Sequence, residues 1–150
     1  MSDIAFCFSD QVTDISATLP PGYFVGKKRI IGNTEYTYVQ ADDTITQYQA
    51  VTTDHAANTS GKKVTPCGAA TDDFFGAAQV AVTDEYYFWC ATRGSMTCKI
   101  ATAATAGLQL ACSATAGVLA TPADTDVAHI RAKAMEAGAA TNAAKLIYVY

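Results

Sequence analysis

Phe75-Gly76-Ala77-Ala78-Gln79-Val80-Ala81-Val82-Thr83-Asp84-Glu85-Tyr86-Tyr87-Phe88-Trp89-Cys90 is the run on which the reading of this chain turns. Its Val and aromatic content suits a pleated surface. Along Glu85 to Ala91 successive side chains point to opposite sides. Tyr86, Phe88 and Cys90 share one face, and Tyr87, Trp89 and Ala91 share the other. A strand with one wet face shows polar residues there; this one has two apolar faces, so both are covered. In a chain of 150 residues the core covers one face. The other is covered by the N-terminal segment acting as a second lid, or by a sister subunit or another protein. Left bare, such a strip would invite aggregation.

Working outward, the downstream sequence repeats a short phrase: Ala104-Thr105-Ala106-Gly107-Leu108, then Ala114-Thr115-Ala116-Gly117-Val118. Glycine before an apolar residue suits positive φ at a turn. The ten-residue offset is a single echo and does not make a solenoid. Between the two turns Leu108 to Cys112 reads as a short strand. Arg93-Gly94 reads as a hairpin turn, with Met96 to Ala101 returning from it. Val127 to Glu136 alternates with period two, and Leu146 to Tyr150 closes the chain as an apolar strand tucked into the sheet.

Upstream, Tyr36 to Ala41 and Ile45 to Val51 read as strands, separated by Asp42-Asp43. Residues 53–63 are a polar loop, Val64 to Cys67 a short strand, and Phe74 to Val82 a longer one. Many short strands at this spacing predict an all-β fold, a small antiparallel β-barrel or sandwich. Residues 1–33 differ. Short apolar groups (Ile4, Phe6, Phe8, Val12, Ile15, Leu19) are broken by Ser, Thr and Asp, and Pro20-Pro21-Gly22 forces an extended or turning backbone. This is an extended N-terminal arm with Phe6, Phe8 and Ile15 as anchors, preceding a domain over 34–150.

Composition narrows the function. Half the residues are apolar but mostly small, so the aromatics supply much of the buried area. The net charge of −4 lacks the Lys/Arg field that direct nucleic-acid binding needs. Lys27-Lys28-Arg29 reads as a solvated turn or strand end, with a phosphate or partner contact as the other reading. No window reaches the roughly 18 apolar residues of a membrane span. The N-terminus lacks the charged start and apolar stretch of a signal peptide, so synthesis in the cytoplasm without membrane contact is expected. The five cysteines (7, 67, 90, 98 and 112) are an odd set without zinc-knuckle or redox spacing. They read as buried free thiols; a Cys90–Cys98 bridge across the expected hairpin is the other possibility.

No catalytic constellation stands out. His55 falls in a polar loop and His129 on a strand, and nothing local pairs either with a cysteine nucleophile. Asp42-Asp43, Asp72-Asp73, Asp84-Glu85 and Asp124 with Asp126 sit at expected turns, where Asp bonds its own backbone. Asp124-Thr125-Asp126 is too short to form a calcium loop. There is no phosphate-cradling glycine loop. We therefore expect no enzyme activity, metal or cofactor.

In order and texture, residues 30–150 resemble the capsid decoration, or head cement, proteins of tailed bacteriophages. The features that carry the resemblance are Gly32 to Ala41 with its Tyr-x-Tyr-Val strand and Phe75-Gly76-Ala77-Ala78. After these come the Glu85 to Trp89 strand, the Ala106 to Gly117 passage and the apolar Leu146 to Tyr150 terminus. Cys90, Thr97-Cys98, the bulky Tyr86 to Trp89 and the longer arm depart from that pattern. The resemblance implies a small β-rich virion protein, often trimeric, that binds the outside of the head and bridges major capsid subunits. Phe6, Phe8, Ile15, Tyr87 and Trp89 would then be its interface residues. A head fibre base, a tail protein and a glycan-binding β module are the alternatives.

Overall fold

The computed structural model describes residues 11–53, 63–122, 131–139 and 142–150, and its regular elements are all strands. They are β1 (Ile15–Ser16), β2 (Lys28–Ile31), β3 (Thr34–Ala41), β4 (Ala50–Thr53), β5 (Lys63–Pro66), β6 (Phe74–Ala78), β7 (Tyr87–Lys99), β8 (Gln109–Cys112), β9 (Leu119–Ala120), β10 (Ala132–Ala134) and β11 (Ala144–Val149). Among the described residues no helix is long and apolar enough to cross a membrane.

Five strands close on themselves in the order β3-β5-β4-β6-β7 and back to β3. The β3–β5 pair is parallel and the other four are antiparallel. Closure removes the sheet edges that would otherwise recruit other strands. Each barrel strand sends at least one side chain into a common core of Val39, Ala41, Val51, Val64, Ala78, Phe88 and Cys90. The all-β barrel expected from the strand spacing is the observed fold.

The strand β7 builds the rest. Its first half pairs with β3 and β6, and its second half, from Gly94 to Lys99, pairs with β11. From β11 a second sheet continues through β10 and β8 to β9, where Leu119 bridges Ile100 just past the end of β7. A second core fills the space between this sheet and the barrel's outer face. It is made mainly of small or flexible groups, including Ala77, Ala91, Ala132, Ala134, Met96, Cys67, Cys98 and Cys112. Small side chains let sheets approach closely, and buried free cysteine acts as a small hydrophobe.

Arg93-Gly94 is thus not a hairpin turn. The chain runs through it as one 13-residue strand. Gly94 has φ +87, and a Cβ there would strike the Asn33 carbonyl oxygen in the turn between β2 and β3. The glycine is needed for close approach and a bend, not for reversal.

Five turns elsewhere follow one plan. Phe24–Lys27, Thr46–Gln49, Thr83–Tyr86, Thr105–Leu108 and Thr115–Val118 each close with a bond from the fourth N–H to the first carbonyl, at 3.1, 3.2, 3.1, 3.2 and 3.1 Å. The third residue has positive φ in every case: Gly26, Tyr48, Glu85, Gly107 and Gly117. A strand starts two residues later each time: β2, β4, β7, β8 and β9. The echo in the sequence is two copies of this device. Positive φ at the third position suits glycine. Tyr48 and Glu85 hold it at a cost of about 1 kcal/mol or more each. Tyr48 is fixed by its N–H to Ala78 O and by its carbonyl from Lys99 N–H, both 2.7 Å. Tyr48 therefore splits the expected Ile45 to Val51 strand: Ile45 only bridges Val82, and β4 starts at Ala50. Likewise the expected Phe74 to Val82 strand ends at Ala78.

The expected boundary after residue 33 falls in the β2–β3 turn. Lys28 to Ile31 already pairs with Thr37 to Thr34, and Ile15 and Ser16 pair with Phe88 and Tyr87 of β7. Of the expected Val127 to Glu136 strand, Ala132–Ala134 is observed, and residues 127–130 lie outside the described residues.

Candidate functional site

The two apolar faces of β7 are both covered, as the alternation requires, and the cover comes from the same chain. Phe88 and Cys90 enter the barrel core. On the opposite face Ala91 joins the second core, and Trp89 is only 1 % exposed. Tyr23 packs on the Trp89 indole at 5.9 Å between ring centroids and Tyr38 at 5.0 Å. Tyr23 and Tyr38 meet edge-on at 4.9 Å, and Tyr87 stacks on Tyr38 at 6.2 Å and 14°. Such offset and edge-on pairs are favourable beyond the area they bury. The Pro20-Pro21-Gly22 turn makes the lid possible: Tyr23 N–H returns to Pro20 O at 3.1 Å, with Gly22 at φ +80. The Lys27 ammonium then caps the Tyr23 ring at 4.4 Å from its centroid.

This places the sequence-predicted residues. Trp89 is buried beneath a lid from its own chain. Tyr87 is half-buried beside it. Ile15 lies opposite Phe88 in β1 with its side chain 44 % exposed, on the same end of β7. Phe6 and Phe8 lie outside the described residues.

Phe24, next to the lid residue Tyr23, is 62 % exposed, and a further exposed apolar surface lies at the bend of β7. Here the β2–β3 hairpin and β11 flank Gly94 and leave a shallow cleft of about 250 Å³ lined by Ile30, Asn33, Glu35, Arg93, Gly94 and Tyr148. Ile30 stands opposite Glu35, and Glu35 opposite Arg93, so these three form a row across β2, β3 and β7. Tyr148 stands opposite Ser95 on β11. Ile30 is 70 % exposed, Tyr148 40 % and Tyr150 57 %. The Tyr148 and Tyr150 rings touch edge-on at 6.0 Å. Polar bonds hold the frame: Lys28 Nζ to Glu35 Oε1 at 2.9 Å, Asn33 Nδ2 to Ser95 Oγ at 3.1 Å, and Thr34 Oγ1 to Ser95 O at 2.6 Å. The sequence carried a signal for this surface. Leu146-Ile147-Tyr148-Val149-Tyr150 is apolar on both faces, as Glu85 to Ala91 is. Only Ile147 and Val149 are buried.

Chemically reactive groups are sequestered or tied. Cys67, Cys90, Cys98 and Cys112 are free and buried. Cys90 and Cys98 are therefore not bridged, and burial pushes both thiols well up, away from the thiolate form. His55, His129, Asp124 and Asp126 lie outside the described residues. Asp72 Oδ2 accepts the Gly68 and Ala69 N–H groups at 2.8 and 2.9 Å, and Asp43 Oδ1 accepts Thr44 N–H at 2.6 Å, the local turn bonding expected of both. Lys63 bridges Asp42 (3.0 Å) and Glu85 (2.7 Å), tying β5 to the turns after β3 and before β7. Hydrogen bonds from Lys63 to Glu85 and then Asp42 hold its ammonium well above the usual lysine range. Among the described residues no group of three or more His, Cys, Asp or Glu side chains could hold a metal ion. What this architecture offers chemically is a β body with an exposed apolar, aromatic strip beside one polar cleft.

The chain matches no protein-family description and no curated protein sequence. Its fold does match a solved structure, the head fiber gp8.5 N base of bacteriophage phi29. The TM-score is 0.58 at 10 % identity, over 77 % of this chain and 92 % of that one. At that identity the likeness is one of fold.

Proposed function

We propose that this chain is a non-enzymatic structural component of a bacteriophage virion, carried on the outer surface of the head. The observation that carries the reading is the fold shared with a phage head fibre base over most of both chains. The order of sequence features that resembles head decoration proteins points the same way. The fold likeness favours a head fibre base at least as much as a cement protein that bridges major capsid subunits. Both roles call for a rigid β scaffold and an adhesive surface, and both take the major capsid protein as partner.

The contact strip of Ile30, Tyr148 and Tyr150 supplies that surface, with Ile15 and the segment before it as a second anchor. Aromatic residues are enriched at protein interfaces, and repeated copies on a particle let modest contacts act together. A trimer is the favoured oligomer. Immunogold electron microscopy of phage particles carrying a tagged copy tests the reading. Gold on the outside of the heads is expected. Gold confined to the tail, or particles with no label, would overturn it.

A further inference from the structure

Two buried thiols meet where the barrel joins the second sheet. Cys67 follows β5, with its N–H bonded to Ala50 O at 3.1 Å and its carbonyl accepting Gly117 N–H at 2.7 Å. Its Sγ lies 3.9 Å from Val118 O. That same carbonyl accepts the Ser113 N–H at 3.2 Å and the Ser113 hydroxyl at 2.8 Å. Ser113 directly follows Cys112, and Cys112 stands opposite Leu119 in the β8–β9 pair. One short segment, residues 117–119, thus clamps the backbone beside both cysteines. Their side chains share a core, and each is the other's foremost electrostatic neighbour.

We propose that Cys67 and Cys112 are a cross-linking pair, which a peroxide converts into a disulfide tying the end of β5 to β8. The two thiols are not equivalent. The Cys112 S–H and nearby backbone N–H groups favour the anionic form of Cys67 and draw its thiol down. Cys112, next to that sulfur and buried, is pushed up. The thiolate is the nucleophile, so whichever sulfur of this pair ionises first attacks. It displaces hydroxide from hydrogen peroxide to give a sulfenic acid. The other sulfur of the pair then attacks that sulfenic sulfur, forming the S–S bond and releasing water. Two thiols lose two electrons and two protons, and one peroxide becomes two waters. Both sulfurs are buried, so the peroxide reaches them by local opening of the chain beside the exposed Gly68.

The bridge would close a loop of 45 residues between positions 67 and 112. It would join the two halves of the fold, and a loop of that length raises Tm by about 10 °C. On the virion reading above, the tie would form once particles leave the reducing host interior; the cross-link itself does not depend on that reading.

The test uses the purified full-length chain. It is titrated with hydrogen peroxide, denatured, alkylated and mapped by mass spectrometry without reduction. The expected result is loss of two of the five alkylatable thiols, a peptide linked through positions 67 and 112, and a Tm rise reversed by dithiothreitol. Cys67→Ser and Cys112→Ser should each abolish the linked peptide, and Cys98→Ser should leave it. Retention of all five thiols, a bridge involving Cys7, Cys90 or Cys98 instead, or Cys67 over-oxidised without a partner would each overturn the proposal.

Discussion

Two aromatic surfaces of this molecule begin from the same sequence pattern and end differently. The strand from Tyr86 to Ala91 and the strand from Leu146 to Tyr150 are both apolar on alternate faces. The first has its second face closed by Tyr23 and Tyr38, leaving Trp89 1 % exposed. The second has Ile147 and Val149 inside, and leaves Tyr148 and Tyr150 outside beside Ile30. Double-faced apolarity thus signals that a strand needs cover, but not whose cover. The deciding element is distant in sequence: the Pro20-Pro21-Gly22 turn brings Tyr23 back over Trp89, and no described segment does this for Tyr148. The covered face is core, and the bare one is the contact surface proposed above.

Charge at the two faces sharpens that difference most. Trp89→Asp would bury a carboxylate under two rings, and we expect a loss of about 4 kcal/mol or more, read as unfolding in a urea titration. A folded but dissociated Trp89→Asp monomer would instead return Trp89 to an interface role. Gly94→Ala comes next. The added methyl meets the Asn33 carbonyl in a left-handed backbone, so about 3 kcal/mol should be lost by the same titration. The bend of β7, and with it the cleft, should loosen.

Smaller effects probe the lid. The Tyr23 hydroxyl is buried with no hydrogen-bond partner. Removing an unsatisfied polar group leaves the ring packing intact, so Tyr23→Phe should stabilise by about 1 kcal/mol, measurable as a higher Tm. A lower Tm would mean that the hydroxyl has a role in holding the lid. The Lys63 bridges give the smallest effect. The Lys63 pKa is raised on folding, so its contribution is complete below the ordinary lysine range and is lost as the pH climbs through the raised folded value. Stability at neutral pH should therefore be insensitive to this lysine's titration. A Tm difference between wild type and Lys63→Met should persist through pH 7–9 and shrink only in strong alkali.

Much of the fold was legible. Tyr36 to Ala41, Val64 to Cys67, Leu108 to Cys112 and Leu146 to Tyr150 show local β propensity and alternation, and each is a strand within a residue or two. The Thr105 and Thr115 turns were legible from their glycines. The rest failed for physical reasons. A glycine at a turn and a glycine under a neighbouring backbone are the same letter, so Gly94 read as a reversal. Tyr48 has strong β propensity and no local mark of positive φ; its conformation is set by Ala78 and Lys99, contacts far along the chain. The pairing of β1 with β7 and of β2 with β3 was not legible, because each depends on a partner strand that local sequence does not reveal. At the candidate site the alternation of Tyr86 to Ala91 shows that both faces need cover, but not that Tyr23 and Tyr38 lie over Trp89. Ile30 and Arg93 reach the cleft only through register, which a single sequence does not display.

The central claim is that the bare strip, not the lidded tryptophan, is the adhesive surface. Its most direct test is the occupancy on phage particles of an Ile30→Asp, Tyr148→Asp double variant, counted by quantitative gel analysis against the wild type. Both side chains are exposed, so the variant should keep its fold within about 1 kcal/mol. The account predicts a folded protein that is missing from the particles. Full wild-type occupancy by the folded double variant would contradict it.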